Sequence, residues 1–241
     1  MKNQPDTMRQ IMAKLFRLAN PADAEVANRF ITTGMRVLGI RAPVLQQMAR
    51  NQMGRLAAAP GEDLAALGKG LVESNIFEAR QLAYMMLSDQ KSVLEGMTIT
   101  ELEELGKGMD NWASVDTFST LLAGVLWRNG KIKDQDVQNW AESEDVWWRR
   151  AALVSTIPLN LKSRGGQGEP GRTLDMCNRL KGDPHRMVQK AVSWALRELS
   201  KRHSSEVHHF LMENQTEMAK STFSEVTKKL EESRKKEKPG N

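Results

Sequence analysis

The sequence predicts an all-α fold, a curved solenoid of stacked helix pairs, and three observations carry that expectation. Apolar residues recur at helical spacing along nearly the whole chain, as in Ile11, Leu15 and Leu18, in Val115, Phe118, Leu122 and Val125, and in Val188, Val192, Ala195 and Leu199. No alternating run is long enough for a strand, and tyrosine, phenylalanine and threonine are scarce. Helix stop and start signals follow one another at short intervals, so the helices are short and the turns between them shorter.

Taken in order, MKNQPDTMRQIMAKLF reads as an amphipathic helix, and Asn20-Pro21-Ala22-Asp23 opens the next one with proline near its first turn. Breaks fall at Gly39, at Ala59-Pro60-Gly61, near Ser88-Asp89 and at Asn129-Gly130. A helix is expected from about Trp112 to Trp127, another from about Asp145, and a third opened by Asp183-Pro184. The glycine-rich stretch Leu159 to Arg172 reads as a mobile loop. It lacks the Gly-Lys-Ser/Thr ending of a phosphate-binding loop and follows no strand, which excludes nucleotide binding there. Residues 1–232 are expected to form a single domain of degenerate HEAT-like antiparallel pairs, and residues 233–241 a basic, disordered tail. An irregular helical bundle is the competing arrangement, because the repeat periodicity is weak.

A chain of 241 residues can bury a substantial core, and 40% hydrophobic with 27% charged residues is ordinary for a globular protein. No apolar run approaches bilayer length and the N-terminus lacks the apolar core of a signal peptide, so a cytoplasmic location is expected. The single cysteine, Cys177, has no partner for an internal disulfide; its spacing with Leu174 and Leu180 predicts a buried thiol. The net charge of +5 favours polyanionic partners, but part of the excess lies in the tail. Any anion-binding groove must therefore come from the placement of charges. His203, His208 and His209 have no recognised metal spacing and read as surface residues.

Three segments set a tryptophan about one turn from a charge: Trp112 and Asp116, Trp147 and Arg150, Trp194 and Arg197. Asp116 falls in a row with Trp112, Ser119 and Ala123, at the edge of the apolar stripe. A partly desolvated acid there is either a structural ion-pair partner or a poised functional group. In Trp147-Trp148-Arg149-Arg150, successive side chains point about 100° apart, so one arginine faces inward with Ala151 and Val154 and needs an anion or an acid. Met187, Lys190, Trp194 and Arg197 share one face. That face suits a nucleic-acid groove, with the ring at sugar or base and the cations at phosphates, or else a core tryptophan whose neighbours reach outward to solvent.

Taken together, Asn111-Trp112-Ala113-Ser114-Val115-Asp116, Trp148-Arg149-Arg150-Ala151-Ala152 and Gln189-Lys190-Ala191-Val192-Ser193-Trp194-Ala195-Leu196-Arg197-Glu198 resemble the AlkD-like DNA alkylation repair family of helical-repeat DNA glycosylases. Weaker agreement lies at Leu38 to Pro43 and Glu78 to Ala83. The resemblance implies that Asp116 is the catalytic aspartate, that Trp112 and Trp194 hold the lesion-bearing nucleotide, and that Arg150 and Arg197 line the DNA-facing cleft; Lys190 is a DNA-binding candidate from its place on the same face as Trp194 and Arg197. It implies a monofunctional hydrolase of base excision repair acting on duplex DNA with cationic N3- or N7-alkylated purines, without a metal or organic cofactor; a monomer is the default expectation. A non-catalytic relative that binds distorted or branched DNA is the alternative, and a helical-repeat protein scaffold with no nucleic-acid role is a third reading. The chain departs from the family pattern at Ala113, where an acid is common, and at Ser193, where glycine is usual. It departs also at Phe30 and Arg41, which replace an aromatic with a hydroxyl and a polar residue, and in the 159–172 stretch, which reads as an insertion.

Overall fold

Alternation of helix-forming runs with caps and glycines produces, in the computed structural model, an all-α chain described over residues 4–237, with side chains described over residues 7–232. Among the described residues the one extended pairing is an isolated bridge between Arg36 and Ile76. Contacts divide the chain after Leu122 into two compact units, within the stretch read from sequence as one domain.

The first unit contains α1 (Gln4–Leu18), α2 (Pro21–Asn28), α3 (Ala42–Arg55), α4 (Gly61–Glu73), α5 (Phe77–Ser88), α6 (Lys91–Gly96), α7 (Ile99–Gly106) and α8 (Trp112–Phe118). The amphipathic α1 turns Ile11 and Leu15 fully inward. Asn20 caps α2 by accepting from the N–H groups of Ala22 and Asp23, with Pro21 in the first turn as its fixed φ favours. Helix α5 packs against α1, α3, α4, α6 and α8 and is buried nearly all round, polar residues included.

Those buried polar residues tie distant segments to α5. The Glu78 carboxylate accepts from three successive backbone N–H groups, of Leu38 at 2.9 Å, Gly39 at 2.7 Å and Ile40 at 3.2 Å. Gly39 has φ +78°, and a Cβ there would lie 2.2 Å from the Asn20 carbonyl oxygen, so the turn requires glycine. The two weakly matching segments of the sequence, Leu38 to Pro43 and Glu78 to Ala83, thus meet in one hydrogen-bonded knot. Arg80 donates to the carbonyls of Leu105 and Lys107 and to the Tyr84 hydroxyl. Burial pushes the Tyr84 phenol up to about 12, which keeps it a neutral donor to the Leu105 carbonyl.

A π-helical turn, Ser119–Ala123, follows α8 and leads into α9 (Gly124–Arg128). It adds one residue to the turn, and the expected stripe changes register: Val115, Phe118 and Leu122 are buried, but Leu126 takes the inward place while Val125 is half-buried.

The second unit continues from α9 with α10 (Asp134–Ala141), α11 (Val146–Val154), α12 (Ile157–Asn160), a 3₁₀ turn (Lys162–Arg164), α13 (Pro170–Leu180), α14 (Arg186–Leu199), α15 (Ser204–Asn214) and α16 (Lys220–Glu237). Helices α10, α13 and α15 pack in one row and α11, α14 and α16 in another, each helix also touching its sequence neighbour across the rows. This is the connectivity of stacked helix pairs, each burying the face the next exposes. Cys177 is fully buried, and desolvation raises its thiol pKa far above the ordinary range.

Three sequence expectations are corrected here. The 159–172 stretch is not a free loop: its ends belong to α12 and α13, and its middle is hydrogen-bonded. Buried Asn160 donates to Thr156 and Thr173 and accepts from the Glu169 N–H, Gly168 N–H reaches the Leu159 carbonyl, and Arg128 donates to the Pro158 and Arg164 carbonyls. Pro184 does not open α14; His185 caps it, one residue later, through Nδ1 and the Met187 N–H. Residues 233–237 of the expected tail continue α16, while 238–241 lie outside the described residues.

Glu78→Ala is expected to lower stability by on the order of 3 kcal/mol, since it leaves buried N–H groups without their charged acceptor, and Glu78→Gln by less. Equilibrium denaturation of both variants beside the wild type checks this; equal stabilities contradict it.

Candidate functional site

The first two candidate residues lie in the first unit on α8, whose start is held by two neighbouring polar residues. Asn111 caps the helix by accepting from the Ser114 N–H at 2.9 Å, and its amide donates to Asp110 at 2.9 Å. Asp110 in turn accepts from the Thr33 hydroxyl at 2.6 Å and the Gly34 N–H at 2.5 Å. The Trp112 indole N–H donates to the Phe30 carbonyl at 3.0 Å. The loop after α2 is therefore fastened to α8 by the side chains of Asp110, Asn111 and Trp112.

On that anchored turn Trp112 is 37% exposed and Phe30 is 70% exposed, so two aromatic rings stand at the surface of this unit. Asp116, one turn after Trp112, is half-buried, and its backbone carbonyl accepts from the Thr120 hydroxyl at 2.6 Å. The small, buried Ser119 and Ala123 follow it in the π turn. Arg41, which departs from the family pattern, pairs through two bonds with Asp23, at 2.9 and 3.0 Å.

In the second unit the structure decides which arginine of α11 faces inward. Arg150 is 5% exposed and donates to the Met187 carbonyl at 2.5 Å, bringing α11 onto the first turn of α14. Arg149 is a fastening residue, bonded to Asp183 at 2.6 Å and to the carbonyls of Ser143 and Glu144. The rings beside them pack locally: Trp148 against Trp140 with centroids 5.2 Å apart, and Trp147 edge-on to His185 at 6.3 Å.

Helix α14 separates its two faces cleanly. Val188, Ala191, Val192, Ala195, Leu196 and Leu199 are buried, while Lys190 is exposed and Met187, Trp194 and Arg197 are half-buried on the opposite row. Among the described residues the Trp194 indole N–H has no hydrogen-bond acceptor. Arg197 donates through Nε to the carbonyl and hydroxyl of Ser193, both at 3.2 Å. The structure thus groups Trp112 with Asp116 in one unit, and Arg150, Lys190, Trp194 and Arg197 in the other.

Sequence reasoning passed over Asp110 and Glu225, and marked Glu78 only as the start of a weakly matching segment, without a role. The Asp-Asn pair before Trp112 carries a readable capping signal. The partners of Glu78 and Glu225 carry no local signal, because each acts on a segment more than thirty residues away.

Comparison with known proteins bears on the whole chain. The fold is that of a solved structure described as a predicted DNA alkylation repair enzyme from Enterococcus faecalis, with a TM-score of 0.68 and 18% identity over 87% of this chain and 95% of that one. The family model for DNA alkylation repair enzymes matches residues 11–230, and the chain belongs to that family. A comparison with curated proteins returns no match. Among the described residues no helix is long and apolar enough to cross a membrane.

Burial alone would raise the Asp110 carboxyl, but its bonds from Thr33, Asn111 and the Gly34 N–H outweigh burial and hold it below the ordinary 3.8. A folded-state pKa below the unfolded one gives stability that is complete above the unfolded value and disappears as pH falls through the folded value. Asp110→Asn is therefore expected to be less stable than wild type near neutral pH, with the gap narrowing below about pH 4. Denaturant unfolding across the acid range checks this; a gap of constant size contradicts it.

Proposed function

We propose that this chain is a monofunctional alkylpurine DNA glycosylase, hydrolysing the N-glycosidic bond of cationic N3- or N7-alkylated purines in duplex DNA. The observation that carries the reading is a half-buried carboxylate, Asp116, one helical turn from the surface indole of Trp112, in a chain of the DNA alkylation repair enzyme family.

The residue types suit the reaction. Alkylation places a positive charge on the purine, so the C1′–N bond breaks with its electron pair leaving to the base and little acid catalysis is needed. The sugar left behind has oxocarbenium character. A carboxylate beside it stabilises that charge, and orients the water whose oxygen bonds to C1′ and whose proton the carboxylate accepts. Partial burial strengthens both effects, because less water screens the carboxylate. Indole faces attract cationic bases and sugar C–H edges. The row of Lys190, Trp194 and Arg197 on α14 suits a DNA backbone, with two cations at phosphates and a ring between them. Arg150, buried with its guanidinium on the Met187 carbonyl, sets the first turn of that helix. Hydrolysis without strand cleavage is the expected outcome.

Wild-type protein is expected to release free 7-methylguanine or 3-methyladenine from duplex DNA. Asp116→Asn is expected to slow release by about 100-fold or more while leaving DNA binding in place. No release by the wild type sinks the glycosylase reading, and undiminished release by Asp116→Asn sinks the role given to the carboxylate. Trp194→Ala is expected to weaken binding to lesion-bearing duplex by about 1–3 kcal/mol, read by fluorescence anisotropy; unchanged affinity removes that ring from the interface.

A further inference from the structure

Ser193 stands where the family usually has glycine, on the buried side of α14 and 1% exposed. A serine inside a helix ordinarily turns its hydroxyl back to the carbonyl four residues earlier. Here that carbonyl, of Gln189, accepts from the Thr222 hydroxyl of α16 at 3.2 Å, and the Ser193 hydroxyl donates to Glu225 of the same helix at 2.5 Å. Thr222 and Glu225 lie three residues apart, so one face of α16 makes both contacts. With its proton directed to the carboxylate, the Ser193 hydroxyl oxygen offers its lone pairs to the Arg197 Nε–H at 3.2 Å, which it shares with the Ser193 carbonyl at the same distance. Among the described residues neither Nη group of Arg197 makes a hydrogen bond, and Glu225 forms no direct ion pair with it. The guanidinium is held at one corner and presents two parallel donors, the geometry that matches two oxygens of one anion.

We propose that Ser193 and Glu225 are positioning residues for Arg197, holding its guanidinium ready for a phosphate of the DNA backbone. The proposal rests on the reading of the outer row of α14 as a DNA contact. Fixing the side chain before binding removes part of the rotamer entropy that a free arginine loses on contact. The hydroxyl between Glu225 and Arg197 passes on orientation while keeping the carboxylate from occupying the Nη donors itself.

Two readouts test it, one without DNA. The Nε–H resonance of Arg197, assigned by its loss in Arg197→Lys, is expected to exchange with water about tenfold faster in Ser193→Ala and Glu225→Ala, and to be largely retained in Glu225→Gln, whose amide oxygen still accepts. Binding to a fluorescent duplex containing 7-methylguanine is expected to weaken about three- to tenfold in Ser193→Ala and Glu225→Ala, and not to weaken further when either is added to Arg197→Ala. Unchanged Nε–H exchange overturns the positioning role, as does an equal affinity loss in the Arg197→Ala background, the mark of a purely structural effect. Should Arg197→Ala leave affinity intact while the exchange pattern holds, the DNA reading of α14 and the phosphate role fall together and the positioning stands.

Discussion

One-sided burial of α14 is the constraint on which the second unit depends. Its apolar row is closed off by α11, α13, α15 and α16, so the helix cannot rotate without exposing Val188, Val192, Ala195 and Leu199. Val188, Val192 and Leu199 each contribute about 1.5–3 kcal/mol when fully buried and the Ala195 methyl about 0.8, and their sum fixes the opposite row far more firmly than any surface contact could. Lys190, Trp194 and Arg197 inherit their position from that packing. A half-buried tryptophan leaves apolar ring surface in water, which is unfavourable by itself; it persists because the other side of the same helix is already committed.

Buried polar groups do the corresponding work where helices give way to turns. Glu78 fastens the Gly39 turn, Asp110 and Asn111 fasten the loop after α2 to α8, and Asn160 closes the stretch between α12 and α13. In each case a side chain on a helix or at its cap supplies the partners that turn backbone loses on leaving regular structure. The helices give these units their bulk, and a few carboxylates and amides fix how the chain passes between them. The π turn after Asp116 belongs to the same account: it changes the inward row within one helical run, so the residues before and after it satisfy two different packing registers.

Most of the helices were legible because amphipathic periodicity, prolines near helix starts and glycine breaks are local signals. The stripe Val188, Val192, Ala195 and Leu199 and the cap at Asn20 needed no tertiary information. The indole and charge pairs were legible as patterns, and the order of three motifs made the family readable before any geometry. The misreadings have a common cause. Glycines between Leu159 and Arg172 suggested freedom, yet Asn160 within that segment and Arg128 outside it hold it in place; Val125 continued a stripe that the π turn displaced.

The sequence by itself therefore determined the all-α class, the positions of most turns and the residue types of the candidate site, since each depends on neighbours within a few positions. Tertiary structure decided which arginine of α11 turned inward, which acid held Ser193, and how Glu78 met the Gly39 turn. Those outcomes depend on contacts between residues thirty or more positions apart, and nothing in a local pattern specifies which distant partner will satisfy a buried polar group.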